Sequence, residues 1–230
     1  MAPEQFPEHN EEVLMQMEKL ETIGERVRAD LSAQDDARDV ALRRSRDLIR
    51  LCATTIRSVH RDEMDEANDL LAQADAAAAE LVGSLESYPD LLTAGYTQDA
   101  LKELAEAHLT IALVTGAPLP EPEALGVPSA AYLGGLCEAA SELRRRCLDL
   151  LRRNRTEEAE ELLAKMDTVY ALLTTFDFPD ALTRGLRRRV DQLRGVVKRT
   201  RGDVTQALRQ DRLIEALTRF EERVGGTGNE

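Results

Sequence analysis

Apolar residues return at helical intervals along most of this 230-residue chain. Near the start, Val13, Leu14, Met17, Leu20, Ile23, Val27 and Leu31 recur three or four positions apart, and the pattern resumes from 36 to 60 after the polar stretch around Gln34, Asp35 and Asp36. Side chains at that spacing stack on one face of a helix. Residues that favour strands are scarce. Aromatics make up 3% of the chain and Trp is absent, while Ala, Leu, Glu and Arg dominate. The expected fold class is therefore all-α, a single compact helical bundle of six or seven helices.

Local signals set the expected boundaries. Helices are predicted over 10–33, over 36–60, and from 62 to about Gly83, before the turn signal of Tyr88 and Pro89. The next runs from an N-cap at Thr97 to a C-cap at Gly116. The proline-rich stretch 117–128 reads as a loop. Pro128 suits the first turn of a helix reaching about 153, Thr156 opens another that stops at Phe176–Asp180, and a long helix covers about 179 to the low 220s. The implied organisation is a flexible N-terminus over 1–9, one helical domain over 10–223 and a disordered tail over 224–230.

Charge narrows the function classes. Formal net charge is −13, and only four of the 30 cations are lysines: Lys19, Lys102, Lys165 and Lys198. An acidic, lysine-poor surface suits a salt-rich cytoplasm, so a halophilic source is expected. The same balance argues against nucleic-acid binding by the whole surface, though not by a local basic stripe. No apolar run is long enough to span a membrane, and the N-terminus lacks a basic region followed by an apolar one, so the expected location is cytoplasmic. Cys52, Cys137 and Cys147 are odd in number and lack CxxC spacing, which reads as reduced, buried thiols.

Two carboxylate pairs stand out, Glu103 with Glu106 and Glu138 with Glu142, on consecutive predicted helices. Residues three or four apart share a face, so two packed helices can aim four carboxylates at one point, a suitable place for Mg2+ or Mn2+. On a helical wheel, Asp99, Glu103, Glu106 and Thr110 form a narrow arc on a helix that is otherwise apolar nearly all round. That reads as interior charge without a local partner. From spacing alone, a metal or acid/base site and a set of structural ion pairs with distant arginines both remain open. Glu142 has Arg145 and Arg146 three and four residues on, as ordinary partners. A di-iron centre would require Glu-x-x-His, and His108 has the wrong spacing and faces away, as an inter-helix histidine would.

A basic stripe lies on the second predicted helix. Arg43, Arg46, Arg50, Thr54, Arg57 and Arg61 follow one face for about 27 Å at 1.5 Å per residue. Such a strip can track the phosphates of a single strand or serve as a solvated face. Arg187, Arg188, Arg189, Arg194, Lys198, Arg199 and Arg201 form a second basic stretch. Aromatics interleave with neither, so base stacking is not expected.

Three stretches together resemble the translin and translin-associated factor X family, the factor X branch above all. These are Ser45 to Asp47 through Arg57 to Arg61, Tyr132 to Leu136 followed by Ser141 to Arg145, and Leu186 through Lys198. The resemblance covers about residues 10–210. It implies a seven-helix α–α superhelix that assembles into a homo-oligomer, a hollow octamer binding single-stranded RNA or ssDNA on its inner surface. The factor X branch implies a metal-dependent endoribonuclease resting on an E-x-x-E pair and a D-x-x-x-E pair. Glu103 and Glu106 match the first, Glu142 matches the last glutamate, and Glu138 stands in the aspartate position. The expectation is an Mg2+- or Mn2+-dependent endoribonuclease with Arg43, Arg46, Arg50, Arg57 and Arg61 gripping phosphates. The rivals are a noncatalytic single-stranded RNA/DNA-binding oligomer, an all-α NTP pyrophosphohydrolase and a purely structural bundle. The chain departs from the pyrophosphohydrolase pattern, with a longer gap between its acidic pairs and E-x-x-x-E in place of E-x-x-D.

Overall fold

A computed structural model describes residues 7–225 of the chain. Among these it forms eight helices and no strand: α1 (Pro7–His60), α2 (Met64–Gly83), α3 (Pro89–Leu92), α4 (Gly95–Thr115), α5 (Ser129–Arg152), α6 (Thr156–Leu173), α7 (Asp180–Thr183) and α8 (Leu186–Gly225). Six are long and two are single turns; the seven expected segments become six long helices because the first two are fused. The ends expected to be flexible fall mostly outside the described residues, and α1 already includes Pro7. No described helix is long and apolar enough to cross a membrane.

The core forms around α4, which packs against both α1 and α5; α5 in turn carries α6 and α8. Leu101, Leu104, Ala105, Ala107 and Leu109 of α4 are all buried, as a helix apolar on most faces requires. Leu48 and Cys52 of α1, Leu136 and Leu143 of α5, Met166 of α6 and Leu193 of α8 complete the interior. The three cysteines are free and buried. Burial pushes the thiols of Cys52 and Cys137 up to about 12 and that of Cys147 to about 11, which leaves them inert at neutral pH.

Three boundaries differ from the expectation. The two helices expected over 10–33 and 36–60 are one helix of 54 residues. The polar stretch between them contains neither Gly nor Pro, so the backbone ladder continues while Arg38 pairs in solvent with Asp35 and Asp39. Thr97 does not cap α4. It is buried, and its hydroxyl donates to the Leu91 carbonyl at 2.8 Å, tying α4 to α3. The helix expected from about 179 is broken at Arg184 and Gly185, both left-handed with φ of 49° and 82°. There the Gly185 amide donates to the Asp180 carboxylate at 2.8 Å, so α8 restarts in a new direction. Gly116, at φ 77°, does terminate α4 as expected.

Periodicity marked the early apolar residues as helical, and they are, yet they do not join the core. Residues 13–33 of α1 are exposed throughout, with Leu14, Leu20 and Leu31 each about 60% accessible. The last turns of α8 behave alike, leaving Leu213, Ile214, Leu217 and Phe220 uncovered. Helical spacing fixes which side chains share a face, whereas a neighbour must exist for that face to be buried. The body of the protein thus lies roughly between residues 34 and 208, with two helical arms leaving it.

The tightest crossing lies between α4 and α5 at two adjacent glycines. A Cβ on Gly135 would come within 2.8 Å of the Ala105 Cβ, the Glu106 amide nitrogen and the Lys102 carbonyl oxygen. Real Cβ atoms do not approach backbone that closely, so only glycine permits this separation. At Gly134 the same atom would meet flexible side chains, the Lys102 stem at 3.2 Å from Cγ and 3.3 Å from Cδ and the Arg189 Cζ at 3.9 Å. Alanine gains roughly 1 kcal/mol of helix propensity over glycine, and overpacking costs about 1–3 kcal/mol. Gly134→Ala should therefore leave denaturant stability within about 1 kcal/mol of the parent. Gly135→Ala should lose at least about 2 kcal/mol by circular dichroism, because both helix backbones must move apart.

Candidate metal centre

The close crossing delivers the carboxylates. Glu103 and Glu106 lie one turn apart on the α4 face toward α5, and Glu138 follows Gly134 by one turn on α5. One oxygen from each of Glu103, Glu106 and Glu138 falls within 4.8 Å of the others. Glu106 is the buried member at 7% exposure, and Glu103 and Glu138 are half-buried. Glu142 lies one turn beyond Glu138. Its Oε2 is 2.7 Å from His60 Nε2, and its charge is felt at Glu106.

Spacing left ion pairing with a distant arginine open, and Glu138 has such a partner in Arg189; Lys102 joins it. Lys102 is buried, and its ammonium donates to Glu103 Oε1 at 2.7 Å and to Glu138 Oε2. Arg189, from the start of α8, donates through Nε to the other Glu138 oxygen at 2.9 Å and through Nη1 to the Arg184 carbonyl at 2.6 Å. The expectation of interior carboxylates without a local partner is thus corrected for Glu103, which Lys102 bonds, and for Asp99, which is exposed. It holds for Glu106, whose carboxyl no hydrogen bond or ion pair reaches among the described residues. Glu142 pairs with His60, and Arg146 turns instead to Asp62.

Electrostatics separate the four carboxylates. Burial opposes ionisation of Glu138, but Lys102 and Arg189 outweigh it and hold the carboxyl below its usual range. Burial also works against the Lys102 charge, and its bonds to Glu103 and Glu138 outweigh that and raise its pKa. Glu106 goes the other way. Burial first, then the charges of Glu103 and Glu138, push it up to about 9 against the partial relief of Lys102. Such a group holds a proton at neutral pH unless a stronger cation takes its place. Hard carboxylate oxygens, one of them lacking a cation, fit Mg2+ or Mn2+ by donor chemistry.

The arginine stripe lies elsewhere. Arg43, Arg46, Arg50 and Arg57 on α1 and Arg61 just past its end are all exposed, and none pairs with the carboxylates of the centre. Arg50 pairs with Asp47 at 3.0 Å, Arg57 donates to the Thr54 hydroxyl at 2.7 Å and Arg61 pairs with Glu63 at 2.9 Å. Arg43 and Arg46 have no ion pair among the described residues. His108 bridges α4 to α2 through Asp75 at 2.7 Å, the inter-helix role expected of it.

Sequence reading missed Lys102, Arg189 and His60 as members of the centre. Lys102 stands four residues before Glu106, a spacing visible in the sequence, although its partners are Glu103 and Glu138. Arg189 lies within a recognised basic stretch, but only the break at Arg184–Gly185 aims it inward. His60 is 82 positions from Glu142, and nothing local joins them.

Fold and centre together define an all-helical protein with a carboxylate cluster at a glycine-mediated helix crossing. No family model matches the chain. Among solved structures it is similar to the C3PO of Archaeoglobus, with 30% identity and a TM-score of 0.73 over 80% of this chain and 95% of that one. It is similar at a TM-score of 0.69 to the same protein in a complex with duplex RNA. The C3PO of Nematostella, at 19% identity and a TM-score of 0.72, shares the fold. An uncharacterized protein of Methanocaldococcus jannaschii is 29% identical over 193 residues, 83% of this chain and 85% of its own length. The chain belongs to the translin family.

The raised Glu106 carboxyl has a consequence for stability. The folded chain keeps this proton up to about pH 9, whereas an unfolded glutamate releases it near 4.5, so stability falls as pH rises between those values. In EDTA at pH 8, Glu106→Gln should therefore melt at least about 2 °C above the parent, the shift that ~1 kcal/mol produces in a chain of this size. The two melting curves should converge at pH 4.

Proposed function

We propose that this chain is an RNA-binding protein and a metal-dependent endoribonuclease of the translin-associated factor X type. The observation that carries the reading is Glu106, a buried carboxyl with no hydrogen bond or ion pair, within ligand distance of Glu103 and Glu138. The 30%-identical Archaeoglobus C3PO, solved with duplex RNA, supports RNA as the bound class. Glu103, Glu106, Glu138 and Glu142 are the residues that would hold Mg2+ or Mn2+. When bound, the ion supplies Lewis acidity toward a phosphoryl oxygen and a lowered pKa for water.

The chain's own groups supply the rest. His60 holds Glu142 through Nε2, and Arg189 and Lys102 place positive charge beside the carboxylates where a phosphodiester would approach. Arg43 and Arg46, exposed and without ion pairs, are free to contact flanking phosphates. The apolar arms, Leu14 to Leu31 on α1 and Leu213 to Phe220 on α8, leave large apolar side chains uncovered at helical spacing and support assembly into a homo-oligomer, an octamer by family resemblance.

Labelled single-stranded and duplex RNA, with Mn2+ or EDTA, tests the reading. Cleavage is expected with Mn2+ alone and should fall at least about 100-fold in Glu106→Ala while binding persists. Replacing Arg43 and Arg46 by Ala should weaken binding and flatten the salt slope for single strands by about 1.4, at roughly 0.7 per phosphate contact. Cleavage that survives Glu106→Ala defeats the assignment, and binding without turnover in any metal leaves a passive RNA-binding assembly. Sizing in molar KCl, which suits the acidic surface, should give a species larger than a dimer, and Leu20→Glu with Leu217→Glu should reduce its size.

A further inference from the structure

Lys102 is an unusual occupant for a metal centre. Its ammonium bridges the two carboxylate pairs, bonding Glu103 Oε1 of α4 at 2.7 Å and Glu138 Oε2 of α5. An ion shared between the pairs would sit in just such a bridging position. The side chain is seated there rather than visiting: Lys102 is 7% exposed, and its Cγ and Cδ lie against the bare backbone of Gly134, where a Cβ would come within 3.2 and 3.3 Å. Glu138 has no oxygen left over, since Arg189 Nε takes Oε1 at 2.9 Å. Glu138 therefore anchors two cations and has only the second lone pairs of those oxygens left for a metal ion. Of the three carboxylates that converge, Glu106 is the one with no ion pair among the described residues.

We propose that Lys102 is a resident cation of this centre, filling a position that a second metal ion would otherwise take, so that the four glutamates admit one divalent ion instead of two. Charge balance agrees with the geometry. Four carboxylates are neutralised by Lys102, Arg189 and one divalent ion, whereas a second divalent ion would have to enter beside a fixed ammonium and a fixed guanidinium. An ammonium gives charge and three hydrogen-bond donors but cannot coordinate water or a phosphoryl oxygen. Any Lewis acidity of the site would then come from the one divalent ion that the remaining carboxylate oxygens, those of Glu106 among them, would hold.

The proposal rests on the metal reading above, and its test separates the two. Metal-stripped full-length protein is titrated with Mn2+ by calorimetry, and bound Mn2+ per chain is counted by electron paramagnetic resonance. The parent should bind one ion per chain. Lys102→Met should bind a second, or bind the first about ten-fold more tightly or better, and Lys102→Arg should keep the parental count. Circular dichroism and melting in EDTA establish that each variant is folded. Two ions in the parent overturn the proposal whether or not the variants fold. One ion bound with equal affinity by the parent and Lys102→Met overturns it while leaving the metal reading intact. No Mn2+ bound by either overturns both.

Discussion

The approach of α4 to α5 at Gly134 and Gly135 is the constraint on which the centre depends. Backbone meets backbone there, with Ala105, Glu106 and the Lys102 carbonyl against the bare Cα of Gly135. Helices with larger residues at the contact pack 8–10 Å apart. Opening this crossing would carry Glu138 away from Glu103 and Glu106, and with it the convergence of their oxygens. The same contact gives the Lys102 stem a floor to lie on. Packing of small residues and placement of charge are thus one structural event. The cost of gathering like charges in a water-poor place is met in part by Lys102 and Arg189, and the remainder appears as the proton that Glu106 retains.

Much of this could be read from residue order. An all-helical fold followed from periodicity and the lack of strand formers, and α4 proved buried almost all round, as its wheel required. Three of the four paired carboxylates, Glu103, Glu106 and Glu138, converge, while Glu142 turns to His60. Local patterns could not say which apolar faces find neighbours, so residues 13–31 of α1 read as ordinary bundle and turned out to be an arm. Nor could they show that Arg184 and Gly185 break a helix, because arginine before glycine leaves left-handed geometry to tertiary context. That break mattered, since it turns Arg189 toward Glu138.

Partner choice was the least legible level. Spacing offered Arg145 and Arg146 to Glu142, while the fold brought His60 from the far end of α1. An ion pair at helical offset is worth a few tenths of a kcal/mol and is readily overridden by packing. Lys102 shows the converse case. It stands four residues before Glu106 in plain view, yet it bonds the adjacent Glu103 and, 36 positions on, the Glu138 that the glycine crossing brings near.

The exposed first half of α1 carries a thermodynamic consequence. This arm extends a helix that the packed second half of α1 already nucleates, so only near-neutral propagation holds it and no tertiary contact adds to that. Val13 to Leu31 therefore contribute little to the stability of a lone chain, and their apolar area becomes stabilising only when another surface covers it. Helicity of the arm is then governed by mass action: it rises with protein concentration and falls on dilution, while the body from about residue 34 onward stays folded throughout.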